Sequence, residues 1–103
     1  MNPDDWRSAL YNAGAPYAVY RVASQLADVA DPTMEASISA EKIGKRVGIV
    51  YGLNGGETRV RALLRDAEIH GWHEVVAHGR GAPNRYRLTI GRRWAMAGET
   101  VAA

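Results

Sequence analysis

Apolar residues recur every three or four positions in four segments of the chain, and this spacing predicts four helices. The first runs from Pro3 to Ala13, where Trp6 and Leu10 share one face. The second begins at Pro16 and is ended by Asp31-Pro32. It carries the longest apolar stripe, which predicts a buried face made of Val19, Val22, Ala23, Leu26, Val29 and Ala30.

Two shorter apolar stripes predict the third and fourth helices. The third lies between Ser39, a favourable N-cap, and Gly48, a favourable C-terminal stop. The fourth runs from about Glu57 to His70 and is closed by Gly71. The residues that we expect these two helices to bury are Ala40, Ile43, Gly44, Val47, Val60, Leu63, Leu64 and Ala67.

After the fourth helix the apolar period changes from about 3.6 to about 2, which predicts β-strands. The two segments are His73–His78 and Arg85–Ile90, and the turn that joins them contains two glycines. Earlier in the chain, Pro32–Ile38 is compatible with either a connector or a short strand. The residues of the last strand that we expect to face the core are Tyr86, Leu88 and Ile90.

Charge is distributed unevenly along the chain. Residues 1–41 carry a net charge of −4, whereas residues 42–103 carry +6. Between Gly79 and Ala97 there are five arginines and no acidic residue. This asymmetry is typical of a protein that presents one side to a polyanion, of which nucleic acid is the first candidate. A basic surface that is merely solvated would give a similar pattern.

Size and composition exclude several classes of protein. The chain of 103 residues is about one domain, too short for a large enzyme with a separate cofactor domain. It has no cysteine, which excludes disulfides, a thiolate zinc site and a cysteine nucleophile. It has neither a secretory signal at its amino end nor an apolar run near the ~20 residues of a membrane span. We therefore expect a cytoplasmic protein, of a bacterium or, if phage-encoded, of the host cytoplasm.

Three motifs carry a resemblance to a known family. Residues 39–48 (SAEKIGKRVG) and 58–72 (TRVRALLRDAEIHGW) resemble the two helices of winged helix-turn-helix DNA-binding proteins from bacterial phages, plasmids and actinobacterial chromosomes. Residues 79–89 resemble the basic hairpin, or wing, of the same family. The resemblance covers about residues 16–90. It implies an α+β fold with three to four helices followed by a two-stranded β-hairpin wing.

Two terminal segments flank the predicted winged helix-turn-helix domain of residues 16–90. Residues 1–15 are expected to form an N-terminal helix. Residues 91–103 are expected to form a basic C-terminal tail that is partly disordered, since they carry Arg92 and Arg93 and end in small residues.

The resemblance implies that the protein binds double-stranded DNA, as a transcriptional regulator or as an accessory protein of replication or recombination. An α-helix fits the major groove, and by position the candidates for base contacts are Thr58, Arg59, Arg61 and Ala62. The other candidates are expected at phosphates or along the wing: Arg65, Lys42, Lys45, Arg46, Arg80, Arg85 and Arg87. The alternative is a solvated helix whose arginines only pair with Glu57, Asp66 and Glu68.

The connection between the two helices departs from the family pattern, because Gly48 to Glu57 is about half a dozen residues longer than usual. It contains the large apolar residues Ile49, Tyr51 and Leu53, which are candidates for contact with a partner. The partner would be a second copy of the chain, giving a homodimer, or a host or phage protein. The alternative function is therefore a winged-helix module for protein–protein interaction that uses the loop 49–56.

No other chemistry is predicted by the sequence. His70, His73 and His78 suggest a metal site, but an ordinary helix-end or strand histidine explains each of them. No arrangement of serine, histidine and carboxylate residues has a spacing that predicts a catalytic site. We therefore expect neither enzymatic activity nor a metal nor a cofactor.

Overall fold

A computed structural model describes residues 1–49, 56–79 and 82–95. These residues form four α-helices and a three-stranded antiparallel sheet, which confirms the predicted α+β class. In chain order the elements are α1 (Pro3–Asn12), α2 (Tyr17–Val29), β1 (Glu35–Ser37), α3 (Ala40–Val47), α4 (Gly56–Ile69), β2 (His73–Ala77) and β3 (Arg85–Leu88).

The helices begin and end at the residues that local chemistry favours. The Asn2 side chain accepts a hydrogen bond from the backbone N–H of Asp5 at 2.8 Å, which caps α1. The Ser39 hydroxyl accepts one from the backbone N–H of Lys42 at 3.1 Å, which caps α3. At the other end of α3, Gly48 has a φ of 82°, a left-handed conformation that glycine adopts without strain. Both predicted ends of α3 are confirmed.

The sheet has the strand order β1-β3-β2, with both neighbouring pairs antiparallel. Tyr86 at its centre lies opposite Ala36 of β1 and Val75 of β2. The segment between α2 and α3 is therefore a short strand as well as a connector. With α2, α3 and α4 around this sheet, the arrangement is consistent with a small winged-helix-like fold. The tip of the β2–β3 turn, residues 80–81, lies outside the described residues.

The core is built from the predicted apolar faces and is closed by α1. Trp6 is fully buried, and its indole N–H donates to the backbone carbonyls of Trp72 at 3.1 Å and Thr89 at 2.8 Å. The Trp6 and Trp72 rings meet edge to face, with 6.3 Å between their centroids. Because both of its partners lie after α4, α1 belongs to the same core as the rest of the domain.

The prediction that Ile90 faces the core is wrong, since its side chain is 53% exposed. The alternation of the strand ends at Leu88, which is buried, and the chain then turns toward the end of α4. Gly91 lies so close to that helix end that an added Cβ would be 2.2 Å from the His70 carbonyl oxygen. This close approach requires glycine and takes Ile90 out of the strand register.

Residues 91–95, which we call the C-terminal strap, pack on the domain although the sequence placed them in a tail. The backbone N–H of Arg92 donates to the His70 carbonyl at 2.7 Å, and that of Trp94 to the Ala13 carbonyl at 2.8 Å. The Trp94 side chain is buried and stacks against Trp72. The ordered domain therefore extends beyond the predicted boundary at residue 90. The rest of the predicted tail, residues 96–103, lies outside the described residues.

His73 is buried in the core at the start of β2, with only 2% of its surface exposed. Its ring lies edge-on to Tyr86, and its Nδ1 has no hydrogen-bond partner among the described residues. Because burial disfavours the charged imidazolium, the pKa of His73 falls from 6.5 to about 4. The folded protein therefore holds this histidine neutral at pH values where the unfolded chain protonates it.

We expect this difference in pKa to destabilise the fold in mild acid. Between pH 6.5 and 4 the unfolded state binds a proton at His73, whereas the folded state does not. This difference lowers the free energy of unfolding by about 3 kcal/mol as the pH falls. Above pH 6.5 and below pH 4 the contribution is constant. Urea unfolding of the wild type and of His73→Phe at pH 7 and pH 4 measures it. Equal acid destabilisation of the two proteins would contradict the expectation.

Candidate nucleic-acid interface

The outward side of α4 is a line of exposed residues opposite its buried side. The core side is formed by Gly56, Val60, Leu64 and Ala67. The outward line follows the helical spacing of four, three and four residues and consists of Thr58, Ala62, Arg65 and Ile69, all exposed. The first two turns of this line therefore present two short side chains.

Arginines lie on both sides of α4, and one of them, Arg65, starts from the outward line itself. Arg61 and Arg65 lie on the hairpin side, where they line a cleft of about 570 Å³ between α4, the start of α3 and the β2–β3 hairpin. Arg59 lies on the opposite flank, beside Arg21 of α2 and Gly48. All three α4 arginines predicted to contact DNA are exposed.

The preceding helix, α3, packs against α4 and presents three exposed basic residues. Ile43 and Val47 are buried and hold α3 against the core. The spacing of the helix then places Lys42, Lys45 and Arg46 toward solvent, as predicted. We call the six exposed basic residues of the two helices the basic helical face: Lys42, Lys45, Arg46, Arg59, Arg61 and Arg65.

Some members of the basic helical face pair with acids, and in the described part of the chain these acids lie on the same helix as their partners. Arg61 pairs with Glu57 at 2.8 Å and Arg65 with Glu68 at 2.7 Å, while both arginine side chains remain 69% exposed. On α3, a 3.5 Å pair joins Lys45 to Glu41. Exposed pairs at this spacing contribute only about 0.3–0.5 kcal/mol, so a stronger anion can replace the carboxylate.

Two of the three acids that the alternative of a solvated helix named, Glu57 and Glu68, thus pair with α4 arginines. The third, Asp66, does not pair with an α4 arginine among the described residues. Its carboxylate lies 3.1 Å from His70 Nδ1 and accepts a hydrogen bond from the Trp94 indole at 3.3 Å. Asp66 therefore fastens the C-terminal strap to α4.

The arginines of β3 are held in a different way, by acids from other elements. Arg85 hydrogen-bonds Glu35 of β1 and lies 3.3 Å from Asp31. Arg87 lies 2.8 Å from Glu74 of β2 and 3.5 Å from Glu35. We call these five residues the sheet face. It has three carboxylates and two guanidinium groups, so it is not the basic wing flank that the sequence predicted.

The pKa values on the sheet face follow from these contacts. The hydrogen bond from Arg85 lowers the pKa of Glu35, and the same bond raises the pKa of Arg85. The pKa of Asp31 is lowered first by the Thr33 hydroxyl, with a smaller contribution from Arg85. These groups are all ionised near pH 7, and the charges of the two arginines are balanced locally.

The structure gives less support to the predicted partner loop. Ile49 is half-buried against the core, and its backbone N–H donates to the Gly44 carbonyl at 2.8 Å. Tyr51 and Leu53, together with the wing residue Arg80, lie outside the described residues. The observed part of the loop therefore packs on α3.

The three histidines of the sequence do not converge. His70 stacks on Trp94 with 4.1 Å between ring centroids, His73 is buried, and His78 is exposed. In the part of the chain that the structure describes, no group of three or more histidine, aspartate or glutamate side chains is arranged to hold a metal ion. Over the same residues, no helix has the length and apolarity required to cross a membrane.

Comparison with protein-family models, curated proteins and solved structures finds no match to this chain. The two charged surfaces are therefore the features from which a function can be inferred. The basic helical face has six cations against Glu41, Glu57 and Glu68, whereas the sheet face has a small excess of negative charge.

Proposed function

We propose that this protein binds double-stranded DNA through the basic helical face, with α4 in the major groove. The observation that carries the proposal is the exposure of all six basic residues. Over the residues that the structure describes, the three of them that form ion pairs do so with acids of their own helices. The resemblance to winged helix-turn-helix proteins supports the same surface. It further suggests a regulator of transcription, or an accessory protein of replication or recombination, in a phage, plasmid or bacterium.

The geometry suits a duplex. The major groove is about 12 Å wide and accepts one α-helix, whose first turns then meet the base edges. On the first turns of α4, Thr58 and Ala62 face outward between Arg59 and Arg61. The cations of α3 lie beside this line and are suited to the phosphates of one strand. The cleft between α4 and the hairpin leaves space next to Arg61 and Arg65 for a sugar–phosphate backbone.

The intrahelical pairs do not oppose this binding. A phosphate offers the arginine a charge-assisted, bidentate partner in place of a weakly held carboxylate. Arg85 and Arg87 of the sheet face would instead each have to leave two carboxylates, which come from other parts of the fold. The basic helical face is therefore the surface on which exchange for phosphate costs least.

A pair of matched double variants tests the proposal. We expect Lys42→Gln with Arg46→Gln to weaken binding to a random duplex by about tenfold per lost contact near 0.1 M salt. The control, Arg85→Gln with Arg87→Gln, removes the same charge from the sheet face and is expected to change binding less than about threefold. Fluorescence anisotropy with a labelled duplex of about 30 base pairs measures both.

Thermal melts of both variants test whether they remain folded at the temperature of the binding measurement. A loss of binding by a folded variant then reflects a lost contact. No binding of the wild type at low salt would overturn the proposal. An equal loss for the two double variants would contradict the assignment to α3 and α4, because binding would then follow net charge alone.

A further inference from the structure

We infer that Thr58 and Ala62 determine sequence preference by contacting the C5-methyl groups of thymines in the major groove. This inference rests on the proposed function, since it needs α4 in that groove. It assigns a role to Thr58 and Ala62, two of the three uncharged members of the outward line of α4, which the basic helical face leaves unexplained.

The position of the two residues is the first part of the argument. They lie on the first and second turns of α4, directly opposite the buried Val60 and Leu64. Both are exposed, and none of the described elements covers them. Side chains at this position lie deepest when a helix enters a groove, whereas Arg59 and Arg61 point toward the groove walls.

Their spacing is the second part. Four residues of α-helix advance by about 6 Å. Two base-pair steps advance by about 7 Å at about 3.4 Å per step. The methyl group of Thr58 and the Cβ of Ala62 can therefore each meet a base pair, two pairs apart along the groove.

Their chemistry is the third part. Thymine is the base that presents an apolar group in the major groove, and threonine or alanine methyl groups are its usual apolar partners. Guanine and cytosine present only polar groups there, which these side chains cannot satisfy well if water is excluded. Arg65 and Ile69 lie further along the outward line, on later turns of α4. Since Arg61 lies toward the cleft and pairs with Glu57, the first two turns of the line present only the two methyl-bearing side chains.

The experiment removes one methyl group at a time from each side of the interface. A tight-binding duplex is first selected from a random pool, and each thymine in it is then replaced singly by deoxyuridine. This replacement keeps every hydrogen-bonding group of the base. On the protein side, Thr58→Ser removes the methyl group but keeps the hydroxyl, and Thr33→Ser makes the same change on the exposed loop before β1 as a control.

We expect deoxyuridine to weaken binding about fourfold at each of two positions spaced two base pairs apart, the value for losing one buried methyl group. Thr58→Ser should weaken binding by a similar factor on the thymine duplex and should have no further effect on one of the two deoxyuridine duplexes. Such non-additivity identifies direct contact. Thr33→Ser should behave as the wild type.

Other outcomes separate the inference from the proposed function. If the selected duplex binds tightly but no deoxyuridine replacement has an effect, the methyl contacts are refuted while DNA binding stands. Selection of no preferred sequence, with binding retained, also overturns the inference. If the wild type binds no duplex at low salt, both the proposed function and this inference fail.

Discussion

Raising the salt concentration from about 50 to about 200 mM is expected to weaken duplex binding about a thousandfold. Each phosphate neutralised by a lysine or arginine releases condensed counterions, which gives about −0.9 per contact in a plot of log affinity against log salt. With five or six members of the basic helical face on phosphates, the slope is about −5. Anisotropy titrations at four or more salt concentrations measure it.

The two double variants, one on the basic helical face and one on the sheet face, show which surface is responsible for the salt dependence. Lys42→Gln with Arg46→Gln should reduce the slope by about two, whereas Arg85→Gln with Arg87→Gln should leave it nearly unchanged. A wild-type slope near zero would show that phosphates are not the ligand of the basic helical face. The protein-interaction module that uses the loop 49–56 would then become the better explanation.

Replacing Trp6 by alanine is expected to lower the free energy of unfolding by about 3–5 kcal/mol. The indole is fully buried, so its removal leaves a cavity between α1 and the sheet. It also removes the indole N–H that donates hydrogen bonds to the carbonyls of Trp72 and Thr89. Since small domains are stable by only about 5–15 kcal/mol, this one change removes a large share of the total.

Two further variants help to interpret the result, and urea unfolding measures the free energy of unfolding of each. Trp6→Phe keeps an aromatic ring but loses the hydrogen bonds, and should fall between the wild type and alanine. Tyr11→Ala, on the same helix but 68% exposed, should cost less than about 1 kcal/mol. Equal stabilities for Trp6→Ala and Tyr11→Ala would show that α1 is a separate appendage and not part of the core.

The helices could be predicted because their signals are local. Ser39 and Gly48 are three and four residues from the groups that they serve, and each acts through its own backbone or side-chain preference. The stripe from Val19 to Leu26 is buried because its spacing matches one helix face. The exposure of Arg61 and Arg65 follows from the same periodicity on α4.

The features that sequence analysis missed depend on distant partners. Arg85 is neutralised by Glu35, fifty residues earlier, and nothing near Arg85 in the sequence indicates this pairing. Alternation in β3 predicted an inward Ile90, but the strap that follows turns the chain before that residue. The burial of Trp94 likewise depends on His70, Trp72 and Asp66 being assembled first. A search for opposite charges on paired strands could have identified the acidic partners of Arg85 and Arg87.

The anchoring of Trp6 has a consequence for how the chain reaches its native state. Its two carbonyl partners lie 66 and 83 residues further along the chain. During synthesis α1 therefore leaves the ribosome long before its docking surface exists, and a ten-residue helix is only marginally stable alone. Contacts of such long sequence separation form slowly and keep apolar surface open to chaperones or to aggregation in the meantime. Although α1 precedes the other described helices in the chain, it is thus among the last elements to reach its native contacts.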